Sequence, residues 1–187
     1  VTGRVDLLVN NAGISGPTAP VEAISPEAWQ KTLDIGLTGA FNAARAVVPI
    51  MKAQGSGAIV NIASNAGLMG CPNRSPYVAA KWALIGLTKT WAMELGSYNV
   101  RVNALCPASV EGARIDAVIA RDATARGVSE DAIRSVYERQ SSLRAFTREE
   151  DIAAMVCYLA GDQGIRISGQ AIGIDGHTET LANYLGP

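Results

Sequence analysis

Ala58-Ile59-Val60-Asn61-Ile62-Ala63 is a mostly apolar run of strand length, and it ends on a hydroxyl, Ser64. Runs this short and this apolar read as strands buried on both faces, as a parallel sheet requires. The turn Gly55-Ser56-Gly57 leads in, and a stretch rich in Gly, Asn and Pro (65–75) leads out. A helical pattern then runs from Pro76 to about Gly96 and carries Tyr77 and Lys81 in its first turns. Strand, loop and helix in this order form half of a parallel crossover unit.

The alternation continues on both sides. Val5-Asp6-Leu7-Leu8-Val9 is a second buried strand, closed by the turn Asn10-Asn11-Ala12-Gly13. Ser25 as N-cap and Pro26 in the first turn open a helix that reaches about Ala53 and bends near Gly36 and Gly39. Val100-Arg101-Val102-Asn103-Ala104-Leu105 is a third strand, closed by Cys106-Pro107. Residues 113–126 and 129–140 read as helices parted by Gly127, with Ser129 as the second N-cap. Thr147-x-x-Glu150 reads as a capping box opening a helix to about Ala160, and Gly169 to Ile174 is the last strand, before Asp175-Gly176. Four strands separated by helices predict an α/β fold, a parallel sheet with helices on both faces.

Composition narrows the function classes. Of the 187 residues, 48% are apolar and 18% charged, which suits one compact domain with a substantial core. The net charge of −1 offers no electrostatic case for nucleic acid or an anionic membrane. No apolar stretch approaches the roughly 20 residues that a membrane span needs. Cys71, Cys106 and Cys157 are widely spaced and odd in number, so they read as reduced thiols of a cytoplasmic protein. His177 is the one histidine, which leaves no multi-histidine metal site, and it reads as an ordinary polar residue.

Ser64, Tyr77 and Lys81 carry the chemistry. Residues four apart share a helix face, so Tyr77 and Lys81 can serve one site. An ammonium beside a phenol favours the phenolate, which suits proton exchange with an oxygen. A hydroxyl at the carboxyl end of a parallel strand lies where open α/β sheets bind ligands.

Together with Asn10-Asn11-Ala12-Gly13, Val102-Asn103-Ala104-x-Cys106-Pro107 and Ser168-Gly169-Gln170…Asp175-Gly176, these residues resemble the short-chain dehydrogenase/reductase family in order and spacing over essentially the whole chain. The resemblance implies a Rossmann-type doubly wound sheet of which the chain holds the C-terminal part, strands 4 to 7 of the family fold, as a single partial domain over 1–187. It implies an NAD- or NADP-dependent oxidoreductase that interconverts a secondary alcohol and a ketone, or a 3-oxoacyl-type carbonyl. Tyr77 would be the acid/base and Lys81 would favour its phenolate and bond the nicotinamide ribose. Ser64 would hold the substrate oxygen, Asn11, Ala12 and Gly13 would lie along the cofactor, and Pro107, Ala108 and Val110 would flank the nicotinamide. A helical insert at about 113–145 would form a substrate lid, on which Arg114, Arg121 and Arg126 could meet an anionic substrate but read better as solvated helix surface. The family's tetramers imply a homo-tetramer or homo-dimer built on the helices at about 26–53 and 76–96. The expected partner is a small alcohol or ketone, with no nucleic acid, membrane or metal.

The sequence departs from the family in three places. Gly36 stands where an asparagine usually helps hold a relay water. Ala108 replaces the glycine after the proline, and Gly112 a threonine that often meets the cofactor amide. The strands and glycine-rich phosphate turn that precede strand 4 in the family have no counterpart here. The expectation is therefore a piece of a full reductase, or a sheet edge covered by another chain. The alternative is a non-catalytic, oligomerising α/β module that does not hold a dinucleotide.

Overall fold

The computed structural model describes residues 3–182; the ends of the expected domain span, 1–2 and 183–187, lie outside the described residues. Four parallel strands, β1 (Leu7–Asn10), β2 (Gly57–Ile62), β3 (Val100–Pro107) and β4 (Ala171–Ile174), lie side by side in chain order. The register pairs Val9 with Val60, Val60 with Asn103, and Leu105 with Ile172. Every strand therefore points its carboxyl end the same way. On β1, Leu7 and Val9 are partly exposed along the sheet edge.

Alternation along β2 and β3 sorts side chains onto two faces. Ile59 and Val102 pack with Met51, Leu95 and Trp91 beneath α2 (Gly39–Gln54) and α3 (Ser75–Leu95). Val60 and Leu105 pack with Leu159, Ile152, Met155 and Val156 of α6 (Glu149–Ala160) on the other face. Helices on both faces explain why the central strands are apolar at nearly every position. Arg101 and two buried asparagines are the exceptions, and both asparagines are satisfied. Asn61 accepts from Asn10 Nδ2 at 2.8 Å and donates to Thr88 Oγ1 at 2.8 Å. Asn103 donates to the Ile167 carbonyl at 2.8 Å and accepts from Gln170 N–H at 3.1 Å. These bonds fix the carboxyl end of β1, which carries a loop of the site, and the amino end of β4.

The expected bent helix is α1 (Pro26–Leu33), capped by Ser25, which accepts from Ala28 N–H at 3.2 Å, and α2, joined through a π-turn at Asp34–Thr38. Gly36 is buried in that turn, and a Cβ on it would meet the Ala80 Cβ at 3.5 Å. α4 (Ala113–Arg126) and α5 (Glu130–Glu138) make their own small core from Ile115, Ile119, Ala123, Ile133 and Phe146, reinforced by the Arg134–Asp116 ion pair.

One expectation about a cap is overturned. α6 begins at Glu149, and the bond that closes its first turn runs from Arg148 N–H to the Asp151 carboxylate at 3.0 Å, not from Thr147. Thr147 is used elsewhere: its hydroxyl donates to the Ile174 carbonyl at 2.7 Å, and its backbone bonds Ser109 and Glu111. A tertiary partner for the threonine outweighed the local cap, and the next acidic residue took over the helix end.

Arg101 locks β3 to the end of α6. Its guanidinium donates to the carbonyls of Leu159, Gly164 (2.9 Å) and Ala160 (3.1 Å), closing the helix C-terminus with a cation. Arg101→Met strips three carbonyls of their partner. It is expected to destabilise the fold by about 2 kcal/mol, read as a lower urea midpoint at unchanged m-value.

Candidate active site at the carboxyl edge of the sheet

The carboxyl ends of β1, β2 and β3 and the first turns of α3 converge on one place. Ser64 follows β2 and caps a short 3-10 turn (Asn65–Gly67), its Oγ accepting from Ala66 N–H at 3.2 Å. That turn lies hard against α3. A Cβ on Gly67 would stand 2.9 Å from the Lys81 carbonyl, so this close approach requires glycine. The Ser64 hydroxyl donates to Asn65 Oδ1 at 3.1 Å, and Asn65 Nδ2 donates in turn to Thr178 Oγ1 at 3.0 Å. All three side chains are buried.

Lys81 sits one turn after Tyr77 and is buried, with its Nζ 5.6 Å from the Tyr77 ring centroid. It donates to the Ile62 carbonyl at 2.7 Å, which ties α3 to the end of β2. Burial lowers its pKa from 10.5 to about 8, and the positive charge of Arg114 adds to the effect. Its two remaining N–H donors are available to a ligand.

The loop after β1 comes over the same ammonium. Gly13 presents bare backbone there, and a Cβ on it would lie 3.6 Å from Lys81 Nζ. Asn11 and Ala12 precede it on the exposed part of the loop. Pro107 ends β3 and is buried; the loop after it is held by Ala108 N–H on the Ile174 carbonyl at 3.2 Å and by the Val110 bridge to Thr147. Gly112, at φ 132°, turns this loop into α4. Cys106 is buried close to Ser64 and Lys81, and burial pushes its thiol up to about 11, which keeps it protonated. The structure thus brings Gly13, Tyr77 and Lys81 together and places Ser64 on a turn packed against the Lys81 backbone.

Three participants gave no signal in the sequence. Asn65 and Thr178 are 113 residues apart, and only folding makes them partners. Thr178 is held by a C-terminal strand-like segment: Ser142 N–H donates to the His177 carbonyl at 3.0 Å and Glu179 N–H to the Gln140 carbonyl at 2.7 Å. His177 therefore does more than decorate the surface, since its Nδ1 also lies 2.7 Å from Ser142 Oγ. The third participant, Arg74, lies against Tyr77, its Cζ 4.9 Å from the ring centroid. Arg114, expected to be solvated rather than to meet an anionic substrate, is near enough for its charge to bear on Lys81.

A family model described as enoyl-(acyl carrier protein) reductase matches residues 1–176. D-beta-hydroxybutyrate dehydrogenase of Rhizobium meliloti (strain 1021) is 37% identical over 175 residues, covering 93% of this chain and 67% of that protein. Trans-4-hydroxycyclohexanecarboxylate dehydrogenase of Sinomonas cyclohexanicum is 40% identical over 183 residues, 98% of this chain and 63% of that one. Among solved structures, NAD+-bound xylitol dehydrogenase superposes with a TM-score of 0.86 at 32% identity, over 92% of this chain and 68% of that one. The chain thus spans about two thirds of the length of its relatives.

Proposed function

The chain belongs to the short-chain dehydrogenase/reductase family, and we propose that it carries the catalytic half of an NAD(P)-dependent oxidoreductase interconverting a secondary alcohol and a ketone. The observation that carries this reading is the buried Lys81 ammonium, set between the Tyr77 ring, the end of β2 and the bare backbone of Gly13. A nicotinamide nucleotide fits these residues. Gly13 leaves the space a side chain would fill, and Lys81 has donors to spare for ribose hydroxyls. When bound, that group supplies the hydride acceptor or donor.

The protein's own residues handle the proton and the charge. In the oxidative direction Tyr77, as phenolate, takes the alcohol proton while the carbon gives up its hydride; in reduction the phenol returns it. Lys81 holds the phenolate electrostatically. Ser64 directs its hydroxyl at the substrate oxygen. For this it must release Asn65 Oδ1, and rotation of the Asn65 amide lets Nδ2 donate to Ser64 instead, with Thr178 donating to Oδ1. Asn11 and Ala12 extend the Gly13 loop along the cofactor, and Pro107, Ala108 and Val110 bound the nicotinamide side.

We further read 1–187 as one partial domain with a lid at about 113–145, in a cytoplasmic protein that assembles as a homo-tetramer or homo-dimer. Exposed Phe41, Trp82 and Met93 on α2 and α3 support the assembly, and three unpaired cysteines support a reducing compartment. Titration with NADH and NADPH, followed through Trp29, Trp82 and Trp91, tests cofactor binding. A saturable change with one of them is expected, and none with either leaves the non-catalytic module standing.

A further inference from the structure

Arg74 has more cation than the fold uses. One nitrogen of its fork, Nη2, donates to the Ser15 carbonyl at 3.0 Å, while its Nε is buried without a hydrogen-bond partner. Its guanidinium lies 4.9 Å from the ring centroid of Tyr77, the phenol that handles the proton. The ion pairs among the described residues join other groups, and none includes Arg74, Lys81 or Arg114. Arg74 and Lys81 thus flank one phenol, with no carboxylate in ion-pair contact with either. A buried donor left unpaired is rare and calls for a partner. A planar fork of this kind matches a carboxylate in two-point contact.

Resting on the proposed alcohol–ketone chemistry, we propose that Arg74 is the substrate's anion-recognising residue, and that the substrate is a short hydroxy or oxo carboxylic acid whose carboxylate lies a few carbons from the reacting carbon. Arg74 reaches this position because the 65–75 loop passes under the loop after β1, where Ser15 orients the fork. It stands immediately before α3, so the carboxylate and the substrate oxygen are read by residues a single helical turn apart. Arg114, at the start of the lid, adds positive potential that draws anions toward the site.

The test uses 3-hydroxybutanoate, its uncharged methyl ester and 3-hydroxybutyl phosphate as substrates of the full-length protein with NAD or NADP. Wild type is expected to favour the acid over the ester by about 10- to 100-fold in kcat/KM, the value of a charge-assisted contact. Arg74→Gln is expected to erase that preference by raising KM for the acid about 10-fold or more, and Arg74→Lys to restore part of it. Equal losses on acid and ester would reduce Arg74 to a support for Tyr77 and overturn the proposal; preference for the phosphate ester would overturn its carboxylate specificity. Should Arg74→Gln fail to fold, butanoate is expected to inhibit wild-type oxidation of the ester competitively and butanamide not to; equal inhibition overturns the proposal. Absence of any turnover that depends on Tyr77 sinks the oxidoreductase reading and this one with it, whereas ester turnover without acid preference sinks this one alone.

Discussion

Tyr77→Phe is expected to lower kcat by roughly 10²- to 10⁴-fold, the contribution of a positioned acid/base, while leaving cofactor affinity and melting temperature almost unchanged. The reason for the separation is geometric. The ring, not the hydroxyl, is what Arg74 and Lys81 lie against, at 4.9 and 5.6 Å from its centroid. The hydroxyl bonds no protein group among the described residues, so its loss orphans nothing. Lys81 keeps its bond to the Ile62 carbonyl in the variant and Gly13 keeps its place over the ammonium. Steady-state kinetics with a fluorescence titration of NADH or NADPH checks both halves. A variant retaining a tenth of wild-type kcat would remove Tyr77 from the proton step, and with it the roles drawn around it.

The parts of this protein that read well from sequence are those decided locally. Ile59 to Ile62 had to be a buried strand because a mostly apolar run of that length has nowhere else to go, and Ser64 then had to stand at its carboxyl end. The bend near Gly36 was visible because glycines interrupt an otherwise helical pattern. That the bend is a π-turn was not visible, since glycines in a helical pattern mark a bend but not its hydrogen-bond spacing. Thr147 misled for a related reason. A threonine three residues before a glutamate satisfies a local rule, but the loop after β3 needed a partner, and Thr147 supplies backbone and hydroxyl to it. Asn65 and Arg74 looked like loop residues because their partners, Thr178 and Ser15, are brought to them only by the sheet. Chemistry spread over distant loops and fixed by tertiary contact leaves no periodicity to detect.

Lys81→Met sets function against stability, and its two effects run in opposite directions. Sequestering an ammonium from water beneath Gly13, with one carbonyl as its partner, costs the native state. A pKa lowered from 10.5 to about 8, at about 1.36 kcal/mol per pH unit, puts that cost at about 3 kcal/mol. Because the folded state binds this proton less tightly than the unfolded chain, the cost is fully present below about pH 8 and is relieved as pH rises from there toward 10.5. Methionine fills the same volume without the charge. Against the lost bond to Ile62, it is expected to raise the melting temperature by about 5 °C at pH 7 and by progressively less above pH 8. The same change is expected to lower kcat roughly 10²- to 10³-fold, the scale of removing one preorganised charge from a developing anion. In the wild type, kcat/KM should decline as pH rises through about 8 and the ammonium is lost. A lysine that stabilised the fold would give the reverse, a lower melting temperature in the variant at pH 7. A gain in stability paired with a loss of turnover is what a residue kept for catalysis predicts.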